Sequence, residues 1–103
     1  MSHYTIYVIP DAWDAIRDLP GHVRQRVRRA IGALADDPRP HPSKELNVSG
    51  FERELRRLRF GHWRVVYAIT EGDNAVDVLA VRKRPPYDYG DLGKLIEEIQ
   101  RKT

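Results

Sequence analysis

The sequence predicts an α+β domain, on three observations. Residues 4–10 (YTIYVIP) alternate and are rich in β-branched and aromatic types, which is typical of a strand. Residues 12–34 place apolar side chains at the spacing of two short helices joined by Pro20-Gly21. Residues 53–83 hold three further strand-like segments. We therefore expect an antiparallel sheet with an αα-hairpin packed on one face and a short C-terminal helix, in the order β-α-α-β-β-β-α.

The two helices of the hairpin are defined by their apolar faces. The first is expected to begin at Pro10, where the missing backbone N–H costs nothing. Its predicted apolar stripe is Ala12, Trp13, Ile16 and Leu19. The predicted buried face of the second helix is Val23, Val27, Ala30, Ile31 and Leu34.

The strands follow a proline-rich loop at 36–43. The predicted elements are then a short strand and turn at 45–51, strands at 53–60 and 62–70 separated by Gly61, a turn at 71–74, and a central strand at 75–83. The C-terminal helix would bury Leu92, Leu95, Ile96 and Ile99. Since no repeat or long linker divides the chain, we expect residues 1–103 to form a single domain.

Composition excludes several kinds of chemistry. The 103 residues contain no cysteine, which excludes disulfides, thiolate zinc sites and a cysteine nucleophile. His3, His22 and His41 show no ligand spacing, so we expect no metal and no cofactor. Neither a signal peptide nor an apolar run of ~20 residues is present, which indicates a cytoplasmic protein without a membrane partner.

Positive charge is unevenly distributed. The net charge is only +3, but arginines concentrate at 24–29, 55–64 and 82–84. If the helices cover the face that carries Leu58, Phe60, Trp63, Val65 and Tyr67, strand alternation puts Arg57, Arg59 and Arg64 together on the other face. Arg84 would join them if the strands form a meander. Such a cluster needs an anion or neighbouring acids, so the alternatives are a phosphate site and surface pairing with Glu52, Glu54 and Asp77.

Three stretches of the chain resemble a known family. LRRLRFGHWRVVY (55–67), followed by AVRKRPPYDY (80–89), is similar to the RelE/ParE superfamily of bacterial toxins, which combine an αα-hairpin with a basic strand-turn-strand. DLPGHVRQRVRRAIGALADDP (18–38) resembles the hairpin of that superfamily. The resemblance covers almost the whole chain and implies a RelE-like fold. Because both branches of the superfamily carry the motif, it does not by itself select one activity.

The resemblance implies the toxin of a toxin–antitoxin system. In the favoured RelE-like branch, the toxin is an endoribonuclease that cuts mRNA on the ribosome by attack of the 2′-OH on the phosphate, without a metal. The alternative is a ParE-like inhibitor of DNA gyrase without nuclease activity, and a third possibility is a basic binding domain that has lost catalysis. Both toxin branches imply a cognate antitoxin, which we expect to be small and acidic or partly disordered.

Residue roles are carried over from the RelE-like branch. Arg57, Arg59 and Lys83 are expected to bind RNA phosphate. The expected catalytic residues are Arg64, Arg84, Tyr87 and Tyr89, with the choice between the two tyrosines open. Arginine is a poor general base, so the acceptor of the 2′ proton is also open, with His62 a minor candidate.

Overall fold

A computed structural model of the chain describes residues 3–47 and 53–83. In chain order the elements are β1 (Thr5–Val8), α1 (Pro10–Arg17), α2 (Gly21–Ala33), β2 (Ser43–Leu46), β3 (Glu54–Phe60), β4 (Trp63–Thr70), a 3₁₀ turn (Glu71–Asp73) and β5 (Ala75–Lys83). The strands form one sheet in the order β1-β5-β4-β3-β2. The predicted α+β class with an αα-hairpin on a sheet is therefore confirmed. The predicted helix at 92–99 lies outside the described residues.

The sheet is mixed rather than wholly antiparallel. Strands β2 to β5 form an antiparallel meander, whereas β1 runs parallel to β5, with Thr5 opposite Ala75 and Val8 opposite Val78. This pairing joins segments some 70 residues apart, and no local turn signal in the sequence encodes it. The short strand predicted at 45–51 is observed as β2, which begins earlier, and residues 48–52 lie outside the described part of the chain.

The helices bury most of the predicted side chains, while Val23 and Ala30 are only partly buried and Trp13 is exposed. Ala12 and Ile16 of α1 and Val27 and Ile31 of α2 are buried against the sheet. Trp13 was expected in the same stripe but is 47% exposed. One residue advances a helix by about 100°, so the position after Ala12 is turned away from the buried i, i+4 pair.

The main core lies between the helices and one face of the sheet. Val65 and Tyr67 of β4 and Leu58 of β3 are buried there, together with the inward residues of α1 and α2. The Tyr67 hydroxyl donates a 2.7 Å hydrogen bond to the carbonyl of Pro38, in the loop after α2. We call this side of the sheet the helix face.

A second buried cluster lies on the opposite side of the sheet. Its members are Leu55, Val66, Ala68, Leu79 and Ala80. Both hairpin turns that connect these strands contain a residue with positive φ, Gly61 at 59° and Asn74 at 47°. Those are the positions where glycine and asparagine tolerate the left-handed conformation best. No helix among the described residues is long and apolar enough to cross a bilayer.

Candidate functional site

Alternation along β3 separates its arginines into two environments. Leu58 and Phe60 pack on the helix face, so Arg57 and Arg59 lie on the opposite face. In the β3–β4 register, Arg57 is opposite Val66 and Arg59 is opposite Arg64. The structure therefore places Arg57, Arg59 and Arg64 on one side of the sheet, as the sequence pattern predicts.

Three arginines form a row across neighbouring strands. Arg59 of β3 is directly opposite Arg64 of β4, and Arg64 is directly opposite Arg82 of β5. Directly opposed residues have Cβ atoms about 4.5–5.5 Å apart. We call these three residues the arginine row. The three side chains therefore leave the backbone close enough together for their positive charges to act on one anionic group or on two adjacent ones.

A second pair of cations lies beside this row. Lys44 of β2 is in register with Arg57 of β3 and therefore shares its side of the sheet. We call the set of Lys44, Arg57, Arg59, Arg64 and Arg82 the basic face.

Arg64 is more deeply placed than the sequence suggested. It was expected to project away from the core, but only 3% of it is exposed. Its Nη1 donates hydrogen bonds to the carbonyl oxygens of Gly61, at 3.1 Å, and Trp63, at 2.9 Å. These bonds tie the side chain to the β3–β4 turn, so Arg64 also stabilises the hairpin that carries it.

Acids near the sheet are already engaged by other arginines. Glu54 bonds Arg39 and Arg56, each with a closest N–O distance of 2.8 Å, and Asp77 bonds Arg53 at 2.7 Å. These are two of the three acids that the surface-pairing alternative requires. The third, Glu52, lies outside the described residues.

Three cations of the basic face have no acid partner in the part of the chain that the structure describes. No salt bridge joins Lys44, Arg57 or Arg59 to a described acid. The buried Nε of Arg57 also lacks a hydrogen-bond partner among residues 3–47 and 53–83. Lys44 and Arg59 are exposed and Arg57 is half-buried, so a ligand from solvent can reach this group.

The paired charges on the helix face form a separate network. The Arg39 guanidinium, followed by Arg56, lowers the pKa of Glu54. Arg39 also lowers the pKa of Glu71, with a smaller contribution from the Tyr4 hydroxyl. Conversely, Glu54 and Glu71 raise the pKa of Arg39 above its usual range. This network joins β3, the 3₁₀ turn and the loop before β2, and it is structural.

The remaining predicted site residues are placed less favourably or are not described. Lys83 is in register with Trp63, which puts it on the helix-face side of β5 rather than on the basic face. His62 is exposed in the β3–β4 turn. Arg84, Tyr87 and Tyr89 lie outside the described residues, so their expected roles stay predictions.

Two members of the basic face were not singled out from the sequence. Arg82 occupies the register position opposite Arg64, which alternation along 75–83 could have revealed once β4 and β5 were aligned. The predicted loop ends at residue 43 and the predicted strand begins at residue 45, so the sequence pattern leaves Lys44 outside both. Within the described ranges, no group of three His, Asp or Glu side chains is arranged to hold a metal ion.

The chain matches a known protein-family model. Residues 8–85 match the family model described as the ParE toxin of the type II toxin–antitoxin system parDE. No sequence among curated proteins shows significant similarity to the chain.

Solved structures resemble the fold over most of its length. The archaeal RelE–RelB complex from Pyrococcus horikoshii OT3 matches with 23% identity and a TM-score of 0.73, covering 84% of this chain and 100% of that one. The RelBE2 toxin–antitoxin complex from Mycobacterium tuberculosis matches with 26% identity and a TM-score of 0.69, covering 82% and 94%. The isolated E. coli RelE toxin matches with 21% identity and a TM-score of 0.65, covering 90% and 98%.

Proposed function

The chain belongs to the ParE toxin family of type II toxin–antitoxin systems, and we propose that its activity is that of the other branch of the superfamily, an endoribonuclease of the RelE kind. In this proposal the protein cuts mRNA on the ribosome, without a metal ion. The 2′-OH attacks the adjacent phosphorus and the bond from phosphorus to the 5′-oxygen breaks. The products are a 2′,3′-cyclic phosphate and a free 5′-OH.

The observation that carries this proposal is the basic face. Lys44, Arg57 and Arg59 remain without a described acid partner, while Glu54 and Asp77 bind other arginines. Like charges on adjacent strands repel each other, so the arrangement costs stability unless an anion offsets it. Guanidinium groups bind phosphate oxygens with two parallel hydrogen bonds, which makes RNA phosphate a suitable ligand.

The proposed roles follow the positions in the sheet. Arg57 and Arg59 would bind phosphate groups, and the buried, anchored Arg64 would stabilise the charge that develops on the reacting phosphate. Lys83, at the exposed end of β5, would contact RNA only beside the basic face. Arg84 would act on the leaving group or the same charge, and Tyr87 or Tyr89 would stack on a base or handle a proton.

Proton transfer sets a limit on what the basic face can do. Arginine stays protonated in proteins, so the arginine row can stabilise negative charge but cannot accept the 2′ proton. A separate acceptor is therefore part of the proposal, and among the described residues His62, exposed in the β3–β4 turn, is the minor candidate.

A second candidate function is inhibition of DNA gyrase. The matching family model is the ParE toxin, and the match ends at residue 85, before both Tyr87 and Tyr89. If the chain acted on gyrase, those two tyrosines and Arg84 would be dispensable for toxicity.

We also propose an antitoxin partner. Two of the matching structures are RelE–RelB and RelBE2 complexes. A small antitoxin that is acidic or partly disordered would complement the basic face electrostatically.

The two activities are separated by mapping RNA ends after a brief pulse of expression. The ribonuclease proposal expects new 5′ ends inside codons occupied by ribosomes, and their loss in Arg84→Ala. Intact messages together with early DNA breaks would overturn it in favour of gyrase inhibition. Unchanged cutting in Arg84→Ala would overturn the role of Arg84 alone.

A further inference from the structure

Lys44 stands beside the predicted phosphate-binding residues, on a strand that carries none of them. It is directly opposite Arg57 in the β2–β3 register, and Leu46 is opposite Leu55 two residues further on. Leu55 belongs to the buried cluster on the side opposite the helix face, which fixes the side to which Lys44 belongs.

No described acid neutralises Lys44. It is exposed, and it forms no salt bridge within residues 3–47 and 53–83. The neighbouring acid in β2, Glu45, is opposite Arg56 and so faces the other side of the sheet. The positive charge of Lys44 therefore adds to that of Arg57 and Arg59.

The basic face crosses the strands rather than following one of them. Its members lie on four adjacent strands, from Lys44 on β2 to Arg82 on β5. Three inter-strand spacings of about 4.8 Å make this span about 14 Å, before the reach of the long side chains is added. A single phosphate is too small to contact both ends of such a span.

We propose that Lys44 and Arg57 form a second phosphate subsite beside the arginine row, so that the protein holds two neighbouring phosphates of one RNA strand. This inference rests on the proposed ribonuclease function and extends it to the length of the bound substrate. Arg59 and Arg82 bind the reacting phosphate, and the buried Arg64 adds its positive charge between them. Lys44, a flexible point charge at the sheet edge, binds the adjacent phosphate and contributes affinity rather than chemistry.

The test measures binding of a short RNA whose riboses are 2′-O-methylated, so that the strand cannot be cut by its own 2′-OH. Affinity is followed by fluorescence anisotropy over a range of salt concentrations for the parent, Lys44→Ala and Lys44→Arg. Arg28→Ala is the matched control, because it removes one exposed positive charge from α2, away from the basic face.

Counterion release sets the size of the expected effect. Loss of one single-strand phosphate contact makes the plot of log affinity against log salt less steep by about 0.7. This corresponds to a loss of about eightfold in affinity at ~50 mM salt. Lys44→Ala should show this loss and Lys44→Arg should not. Equal affinity and equal salt dependence of Lys44→Ala and Arg28→Ala would overturn the inference. Weaker binding by Lys44→Arg than by the parent would overturn it as well.

A dinucleotide with one phosphate and a trinucleotide with two test the second subsite directly. The parent should bind the trinucleotide more tightly, and Lys44→Ala should lose most of that gain while binding the dinucleotide almost as the parent does. An equal gain in both proteins would overturn the second subsite alone. A parent that binds neither these nor longer RNA in a salt-dependent way would overturn the ribonuclease proposal as well.

Discussion

Arg59 and Arg64 lie directly opposite each other on β3 and β4, and Arg82 continues the same row on β5. Opposed like charges destabilise a strand pair by a few tenths of a kcal/mol to about 1 kcal/mol. An anion bound beside Arg59 would offset this repulsion.

Removing one charge from the row should increase stability and reduce function. Arg59→Gln keeps a polar side chain of similar length at an exposed position but relieves the repulsion with Arg64. We expect the free energy of unfolding in urea to rise by about 0.5 kcal/mol, while RNA cutting falls strongly. Arg28→Gln should change neither quantity. An Arg59→Gln variant that cuts RNA as the parent does would remove Arg59 from the site.

Replacement of Arg64 should lower the stability of the protein, in contrast to replacement of Arg59. Arg64→Ala removes a buried side chain and its two hydrogen bonds to the Gly61 and Trp63 carbonyls, leaving space in the hairpin. We expect a loss of about 2 kcal/mol in the free energy of unfolding, measured by urea denaturation. Arg57→Ala, at a half-buried neighbouring position, should lose much less. Equal stability of the two variants would mean that the carbonyl contacts of Arg64 contribute little.

Tyr67 should matter for stability and not for chemistry. Its hydroxyl donates to the Pro38 carbonyl inside the core, so Tyr67→Phe leaves that oxygen without its partner. The expected cost is about 1–2 kcal/mol in thermal or urea unfolding, with RNA cutting unchanged under conditions where the variant is folded. A loss of cutting in a stable Tyr67→Phe protein would contradict the assignment of Tyr67 to the core.

Acid stability should depend on Glu54. Arg39 and Arg56 lower its pKa in the folded protein, so the ion pairs stabilise the fold above the unfolded value of 4.5. This contribution is lost as the pH falls from about 4.5 through the lower folded pKa. Glu54→Gln should therefore be less stable than the parent by about 1 kcal/mol at pH 7, with the difference shrinking below pH 4.

Urea unfolding at several pH values measures that difference. Asp18→Asn, at an exposed position after α1 without a described ion pair, is the matched control and should follow the parent curve. A constant gap between Glu54→Gln and the parent across the whole pH range would show that the carboxylate charge is not responsible.

Local patterns in the sequence predicted most of the fold. Alternation predicted that Arg57 and Arg59 lie on the face of the sheet away from Leu58, and helical spacing identified Val27 and Ile31 as buried. Both patterns depend only on residues a few positions apart in the sequence. The parallel pairing of β1 with β5 and the exposure of Trp13 depend on contacts between distant segments. Alternation and spacing carry no information about those contacts.

The candidate site was predicted only in part for the same reason. Alternation along the strands grouped Arg57, Arg59 and Arg64 on one face. The strand register that adds Lys44 and Arg82 to this group is a property of the assembled sheet. The burial of Arg64 arises from the turn at Gly61, whose carbonyl approaches the guanidinium only when the hairpin is formed.

If the basic face holds RNA phosphate for cleavage, removing two of its accessible charges should abolish cutting. RNA 5′ ends are mapped after pulsed expression of the parent, the double variant Arg57→Gln/Arg59→Gln and the control Arg28→Gln. We expect cuts inside translated codons from the parent and the control, and none from the folded double variant. Cutting by the double variant at the level of the parent would show that the basic face does not hold the RNA that is cleaved.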